Sequence, residues 1–139
     1  MDEDTLGAWR ALLNAHARIT GLVEAALAEA GLPPLGWYDV LWPLYRAPGR
    51  RLRMGALAAE ATLSRTGLTR LVDRLEHQGL VRREPAPEDR RGSYVALTRS
   101  GAALLRRMWP VYERVLDEQF APAVQDPRAL RRALEPLGR

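Results

Sequence analysis

Ser64-Arg65-Thr66-Gly67-Leu68-Thr69-Arg70-Leu71-Val72-Asp73-Arg74-Leu75-Glu76 is the stretch that decides the fold. Leu68, Leu71, Val72 and Leu75 fall at 3-1-3 spacing and make one apolar stripe of a helix. Arg65, Thr66, Thr69, Arg70 and Arg74 are left on the other side, so that face is wet, cationic and hydroxylated. Ser64 is a residue type that caps helix starts, and the helix is expected to end before Gly79. Upstream, Met54–Ala61 reads as a short helix, with Thr62-Leu63 as a tight connection. Downstream, Leu80-Val81-Arg82-Arg83-Glu84 and Ser93-Tyr94-Val95-Ala96-Leu97 read as two strands. The turn-rich tip between them is Pro85-Ala86-Pro87-Glu88-Asp89-Arg90-Arg91-Gly92, so the pair is a hairpin. A short helix, a tight turn, a longer helix with a polar face and a basic hairpin together predict a winged helix-turn-helix.

Helices flank this centre. From Thr5 to Ala30 the apolar residues recur at three-, four- and five-residue steps, and alanine fills the gaps. Gly31 stands at the expected C-cap, and Pro33-Pro34 prevent continuation. A second, aromatic helix is expected over Leu35–Arg46, with Pro43 predicting a kink or an early end before Pro48-Gly49 breaks the chain. Thr98 caps a further helix with Ala102, Leu105, Trp109, Tyr112 and Leu116 on one side, and Pro110 is expected to bend it. A last short helix is expected over Pro127–Leu137. No repeat or long linker divides the 139 residues, which read as one unit, mainly α with a small β-hairpin wing.

The charge pattern suits this reading. All 21 basic residues are arginine, against 17 acids, and the net charge is +4. The missing lysine goes with 21 alanines and single isoleucine, asparagine and phenylalanine residues, the mark of a GC-rich coding sequence, and by itself says little. Position is more informative. Residues 1–45 sum to −4, residues 46–107 hold fourteen arginines and sum to +8, and residues 108–139 sum to zero. Uniform codon bias does not segregate charge, whereas a polyanion-binding surface requires it. At 47% hydrophobic and 27% charged, the composition is that of a globular protein. The absence of cysteine removes disulfides and most zinc sites; no metal site and no cofactor are expected. Met1-Asp2-Glu3-Asp4 leads into no apolar signal core, and no apolar run nears the roughly 20 residues that span a bilayer, so the cytoplasm is the expected location and no membrane partner is expected.

In a winged helix-turn-helix the second helix lies in the major groove with its N-terminal side chains at base edges. Ser64, Arg65, Thr66, Thr69, Arg70 and Arg74 are suited to that role: arginine pairs with guanine, and hydroxyls serve bases or phosphates. Arg90 and Arg91 at the hairpin tip fit a narrow minor groove, where the potential is most negative.

These residues resemble a known family. The stretch Leu63 to Glu76, then Gly79-Leu80-Val81-Arg82-Arg83, Asp89-Arg90-Arg91-Gly92 and Val95-Ala96-Leu97-Thr98, is similar to the signature of MarR-type transcriptional regulators, and the flanking helices fall in the family order. The resemblance implies a sequence-specific regulator of double-stranded DNA, a repressor, acting as a homodimer on a pseudo-palindromic operator. It implies a DNA-binding lobe at 35–98 and dimerisation helices at 1–30 and 99–139. It also implies that Arg91 enters the minor groove and that Asp89 braces the wing by pairing with Arg83. Gly67 departs from the bulkier residue usual there; glycine costs about 1 kcal/mol inside a helix, and it serves either a close approach to DNA or no purpose.

Family members commonly release DNA when a small, often aromatic, anionic effector enters a cleft between the dimer helices and the DNA-binding lobe. The resemblance places that cleft among His16 on the first helix and Trp37, Tyr38, Asp39, Trp42 and Tyr45 on the second. Met108, Trp109 and Tyr112 complete it from the helix after the wing. His16 matches in position an interface histidine of urate-responsive relatives, which implies a pH-sensing role; the accompanying residue types are too widespread in the wider family to carry the urate reading. Two other classes compete. An enzyme is disfavoured by the lack of a P-loop, GxGxxG, HExxH or cysteine nucleophile, and by only two well-separated histidines. A winged helix used for protein contact does not require arginines on both the second helix and the wing.

Overall fold

The computed structural model describes residues 1–61, 65–88 and 92–138, without the side chains of Arg65 and Thr66. The expected Thr62-Leu63 connection, the Ser64 cap and the wing-tip residues Asp89, Arg90 and Arg91 lie outside the described residues, as do those two side chains.

Helix α1 (Glu3–Glu29) starts where the Asp2 carboxylate accepts from the Thr5 amide at 2.7 Å. It ends where Gly31, at φ 70°, turns the chain so that the Leu32 amide donates back to the Leu27 carbonyl at 2.9 Å. Helix α2 (Leu35–Arg46) has the bounds expected from sequence and runs through Pro43 without ending. Leu41 and Leu44, on either side of Pro43, are fully buried. Two such side chains, at roughly 1.5–3 kcal/mol each, offset the ~3 kcal/mol that an interior proline costs.

A 3-10 turn (Pro48–Arg50) leads to strand β1 (Arg51–Arg53), which the sequence reading lacked, because three residues are too short a window for alternation to register. Helix α3 (Met54–Glu60) and helix α4 (Arg65–His77) follow. Strands β2 (Val81–Pro85) and β3 (Ser93–Leu97) form the expected hairpin, and β1 makes it a three-stranded antiparallel sheet of order β1-β3-β2. Leu52 pairs with Val95, and Val81 with Leu97, so these four apolar side chains share the inner face of the sheet. Helix α5 (Arg99–Gln119) is capped by the Thr98 hydroxyl, which accepts from the Gly101 amide at 3.0 Å, and is unbroken at Pro110. Helix α6 (Pro127–Leu134) is shorter than expected, since the chain tightens to a 3-10 turn over Glu135–Gly138.

One core joins these parts. Val23 and Leu27 of α1, Leu41 and Leu44 of α2, Leu57 of α3, Leu68, Val72 and Leu75 of α4, Val81 and Val95 of the sheet and Met108 of α5 are all 1% exposed or less. Helix α1 packs along α5, and Arg18 donates to Gln119 at 3.0 Å across that pair. Gly101 is buried where α5 crosses the chain entering β2; a Cβ there would lie 2.1 Å from the Leu80 carbonyl oxygen.

Candidate nucleic-acid interface

Helix α4 buries Leu68, Val72 and Leu75 and leaves Thr69, Arg70 and Arg74 exposed. Arg70 and Arg74 are four apart and share one face. Among the described residues neither side chain makes an ion pair or hydrogen bond, and both residues are exposed. Such a face concentrates uncompensated cations where an incoming phosphate or base edge meets little desolvation cost.

Arg83 fixes this helix to the sheet. Its Nη1 donates to Glu76 Oε1 at 2.9 Å, its Nη2 to Asp73 Oδ1 at 2.5 Å, and its backbone amide to Glu76 Oε2 at 2.6 Å. The Arg83 backbone amide, followed by its side chain, holds the Glu76 carboxyl below its ordinary pKa against the opposing loss of hydration. The Arg83 partner expected from the family, Asp89, lies outside the described residues. Asp73 and Glu76 were missed as partners, although two acids three apart before an arginine-bearing strand are legible in sequence.

Several surface arginines of the basic segment are engaged with their own chain. Arg46 lies over the Trp42 ring at 5.8 Å and Arg50 over Tyr45 at 4.6 Å. On the outer sheet face Arg51 and Arg82 hold Glu84 at 3.3 and 3.0 Å, and Arg53 holds Glu88 at 2.9 Å. With Arg83, six arginines of this segment are therefore engaged with their own chain among the described residues. The Glu88 carboxyl is brought down to about 2, first by the Tyr94 hydroxyl, then by its own backbone amide and by Arg53.

A cleft of about 560 Å³ opens between α1, α2, α3 and α5. His16, Asp39, Trp42 and Tyr112, all expected there from sequence, line it together with Thr20, Arg46 and Glu60, which were not expected. The other expected residues are elsewhere. Met108 is core, and Trp37 lines a separate hollow of about 430 Å³ with Gln78 and Arg107. Tyr38, 6% exposed, lies behind the cleft with its ring 6.1 Å from Trp42, 6.2 Å from Trp109 and 5.1 Å from Tyr112. Tyr45 stacks on Trp42 at 6.0 Å. Burial pushes the Tyr38 hydroxyl up to about 12 and raises that of Tyr112. Asp39 has surface open to solvent, yet loss of hydration and then nearby Glu24 raise its pKa, with His16 opposing. Among the described residues no three His, Cys, Asp or Glu side chains come together to hold a metal ion, and no helix is long and apolar enough to cross a membrane.

A three-stranded antiparallel sheet packed with α3 and α4, a cationic face on α4 and the long helices α1 and α5 define a winged-helix fold. The sequence model of the MarR family matches residues 30–92. The MarR family regulator AbsC of Streptomyces coelicolor is similar in structure over 99% of this chain and 93% of its own, at a TM-score of 0.85 and 30% identity. Sco3205 of the same organism, a MarR family regulator solved in complex with DNA, is similar over 99% of this chain and 85% of its own, at 0.83 and 30%. The transcriptional regulator PrsX of Escherichia coli is 30% identical over 93 residues, which are 67% of this chain and 56% of PrsX; the match thus spans little more than half of that relative. The chain belongs to the MarR family of transcriptional regulators.

Proposed function

We propose that this chain is a sequence-specific double-stranded DNA-binding regulator, and a repressor, working as a homodimer on a pseudo-palindromic operator. The observation that carries the reading is the exposed pair Arg70 and Arg74 on α4, unengaged among the described residues while neighbouring arginines of the segment are tied to their own chain. The DNA-bound state of Sco3205 supports it. Residues 35–98 act as the DNA-binding lobe. Thr69, Arg70 and Arg74, with Ser64, Arg65 and Thr66, read the major groove, and Arg90 and Arg91 enter the minor groove. The helices at 1–30 and 99–139 dimerise; exposed Leu6, Trp9 and Leu13 on α1, with Phe120 and Leu137 near the C-terminus, supply the apolar surface.

The cleft takes a small aromatic or anionic effector: Trp42 and Tyr112 offer ring faces, and Arg46 a cation. Filling it shifts α1 and α5 relative to the lobe and releases DNA. The protein works in the cytoplasm, on DNA, without catalysing a reaction.

Selection of bound fragments from genomic DNA tests the reading. It is expected to return a pseudo-palindrome whose half-sites lie about 34 Å apart, one helical turn. Arg70→Ala is expected to relax sequence discrimination as well as affinity. An equal loss on all duplexes would make Arg70 a phosphate contact, and recovery of no common sequence would overturn the reading.

A further inference from the structure

The outer face of the wing sheet holds an interlocked set of side chains around one tyrosine. Arg53, Tyr94 and Glu84 stand in one row across β1, β3 and β2, with Arg51, Ala96 and Arg82 in the next. The Arg51 and Arg53 guanidinium groups lie 4.4 and 5.4 Å from the Tyr94 ring centroid. The Tyr94 hydroxyl donates to Glu88 Oε1 at 2.6 Å, and Arg53 Nη2 donates to the same oxygen at 2.9 Å. Glu88 lies beyond the end of β2 and directly precedes Asp89-Arg90-Arg91 in the chain. These contacts therefore tie the root of the arginine-bearing tip to β1, on the far edge of the sheet from β2.

An isolated surface ion pair fixes little, because two long side chains must be ordered for a screened attraction. Here two charge-assisted hydrogen bonds meet on one carboxylate oxygen, and two cations sit against the ring that supplies one of them. Tyr94 starts from a paired strand, so its position is already set by the sheet. The set fixes Glu88 from two directions.

We propose that Glu88 and Tyr94 are positioning residues of the wing: with Arg53 they set where the arginine-bearing tip stands against DNA, so that an acidic side chain raises DNA affinity. This rests on the DNA-binding reading and adds a sign to it. By charge alone, a carboxylate near the phosphate backbone repels it, and Glu88→Gln tightens binding to any duplex. As a positioning group, Glu88 loses its charge-assisted bonds in that variant, and binding weakens. Tyr94→Phe removes only the hydroxyl and leaves the net charge unchanged.

The test uses the full chain and the duplex recovered by genomic selection, with affinity titrations, hydroxyl-radical footprints and thermal melts. Glu88→Gln and Tyr94→Phe are each expected to weaken binding by a factor of roughly 3 to 10. Both should lose protection of the outer minor grooves, keep that of the major-groove half-sites, and melt near the wild-type temperature. Tighter binding by Glu88→Gln, with Tyr94→Phe unchanged and minor-groove protection intact, overturns the proposal. So does a uniform loss of protection with a lowered melting temperature, which means the cluster acts through folding. A wild-type chain that protects no duplex overturns the DNA-binding reading instead.

Discussion

At Asp39 a carboxylate is kept in a cleft at a cost to the fold. Loss of hydration, then Glu24, raises its pKa above the usual aspartate value, and His16 only partly offsets them. A group raised in the folded state contributes stability that is fully present below its unfolded pKa and lost as pH rises through the folded value. Ionised Asp39 therefore opposes folding at neutral pH. Asp39→Asn is expected to raise the melting temperature at pH 7, with the gain vanishing below about pH 4, where the wild-type carboxyl is protonated in both states. Melts at pH 3.5 and 7 decide this, and a less stable Asn variant at pH 7 would contradict it. A destabilising acid retained beside Trp42 and Tyr112 is what a ligand site, rather than a packing site, tends to show. The family resemblance placed His16, Asp39, Trp42 and Tyr112 in one cleft, but helical periodicity does not tell which side chains face it: Tyr38 and Met108 are core.

Among the elements, the helices and the hairpin were legible because their apolar periodicity is sustained over many residues and their ends carry strong stop signals. Gly79, at φ 74°, ends α4 by letting the Leu80 amide donate to the Leu75 carbonyl at 2.9 Å. Strand β1 was not legible, since Arg51-Leu52-Arg53 offers one apolar residue and its pairing with β3 is set only by tertiary contact. Its arginines consequently looked like part of a polyanion surface, whereas the sheet turns Arg51 and Arg53 onto Tyr94. Close approach is another property that periodicity does not carry. Gly101 lets α5 lie against the Leu80 backbone, and an alanine Cβ would collide with a carbonyl that cannot move without displacing β2. Gly101→Ala is expected to destabilise the fold by about 1–3 kcal/mol through overpacking. Urea unfolding would show a lower midpoint at unchanged slope; an unaltered midpoint would mean the helix and strand can part without cost.

Across the whole molecule charge is unevenly spread: residues 1–45 sum to −4, residues 46–107 to +8 and residues 108–139 to zero. The N-terminal third supplies α1, whose first half exposes Leu6, Trp9 and Leu13, and Trp9 is 54% exposed. If this surface joins two copies, Trp9→Glu yields monomers in sedimentation velocity and weakens operator binding by removing the second half-site. A wild-type chain that sediments as a monomer at micromolar concentration would contradict the dimer. The basic middle segment supplies α3, α4 and the wing sheet, and the proposed DNA binding depends on the arginines left over after the intramolecular pairs. The most direct measurement is the salt dependence of affinity for the selected duplex. If Arg70, Arg74, Arg90 and Arg91 of both protomers each displace about one condensed counterion from the duplex, the plot of log K against log salt falls with a slope of about −7. A flat plot would contradict an interface built on those arginines.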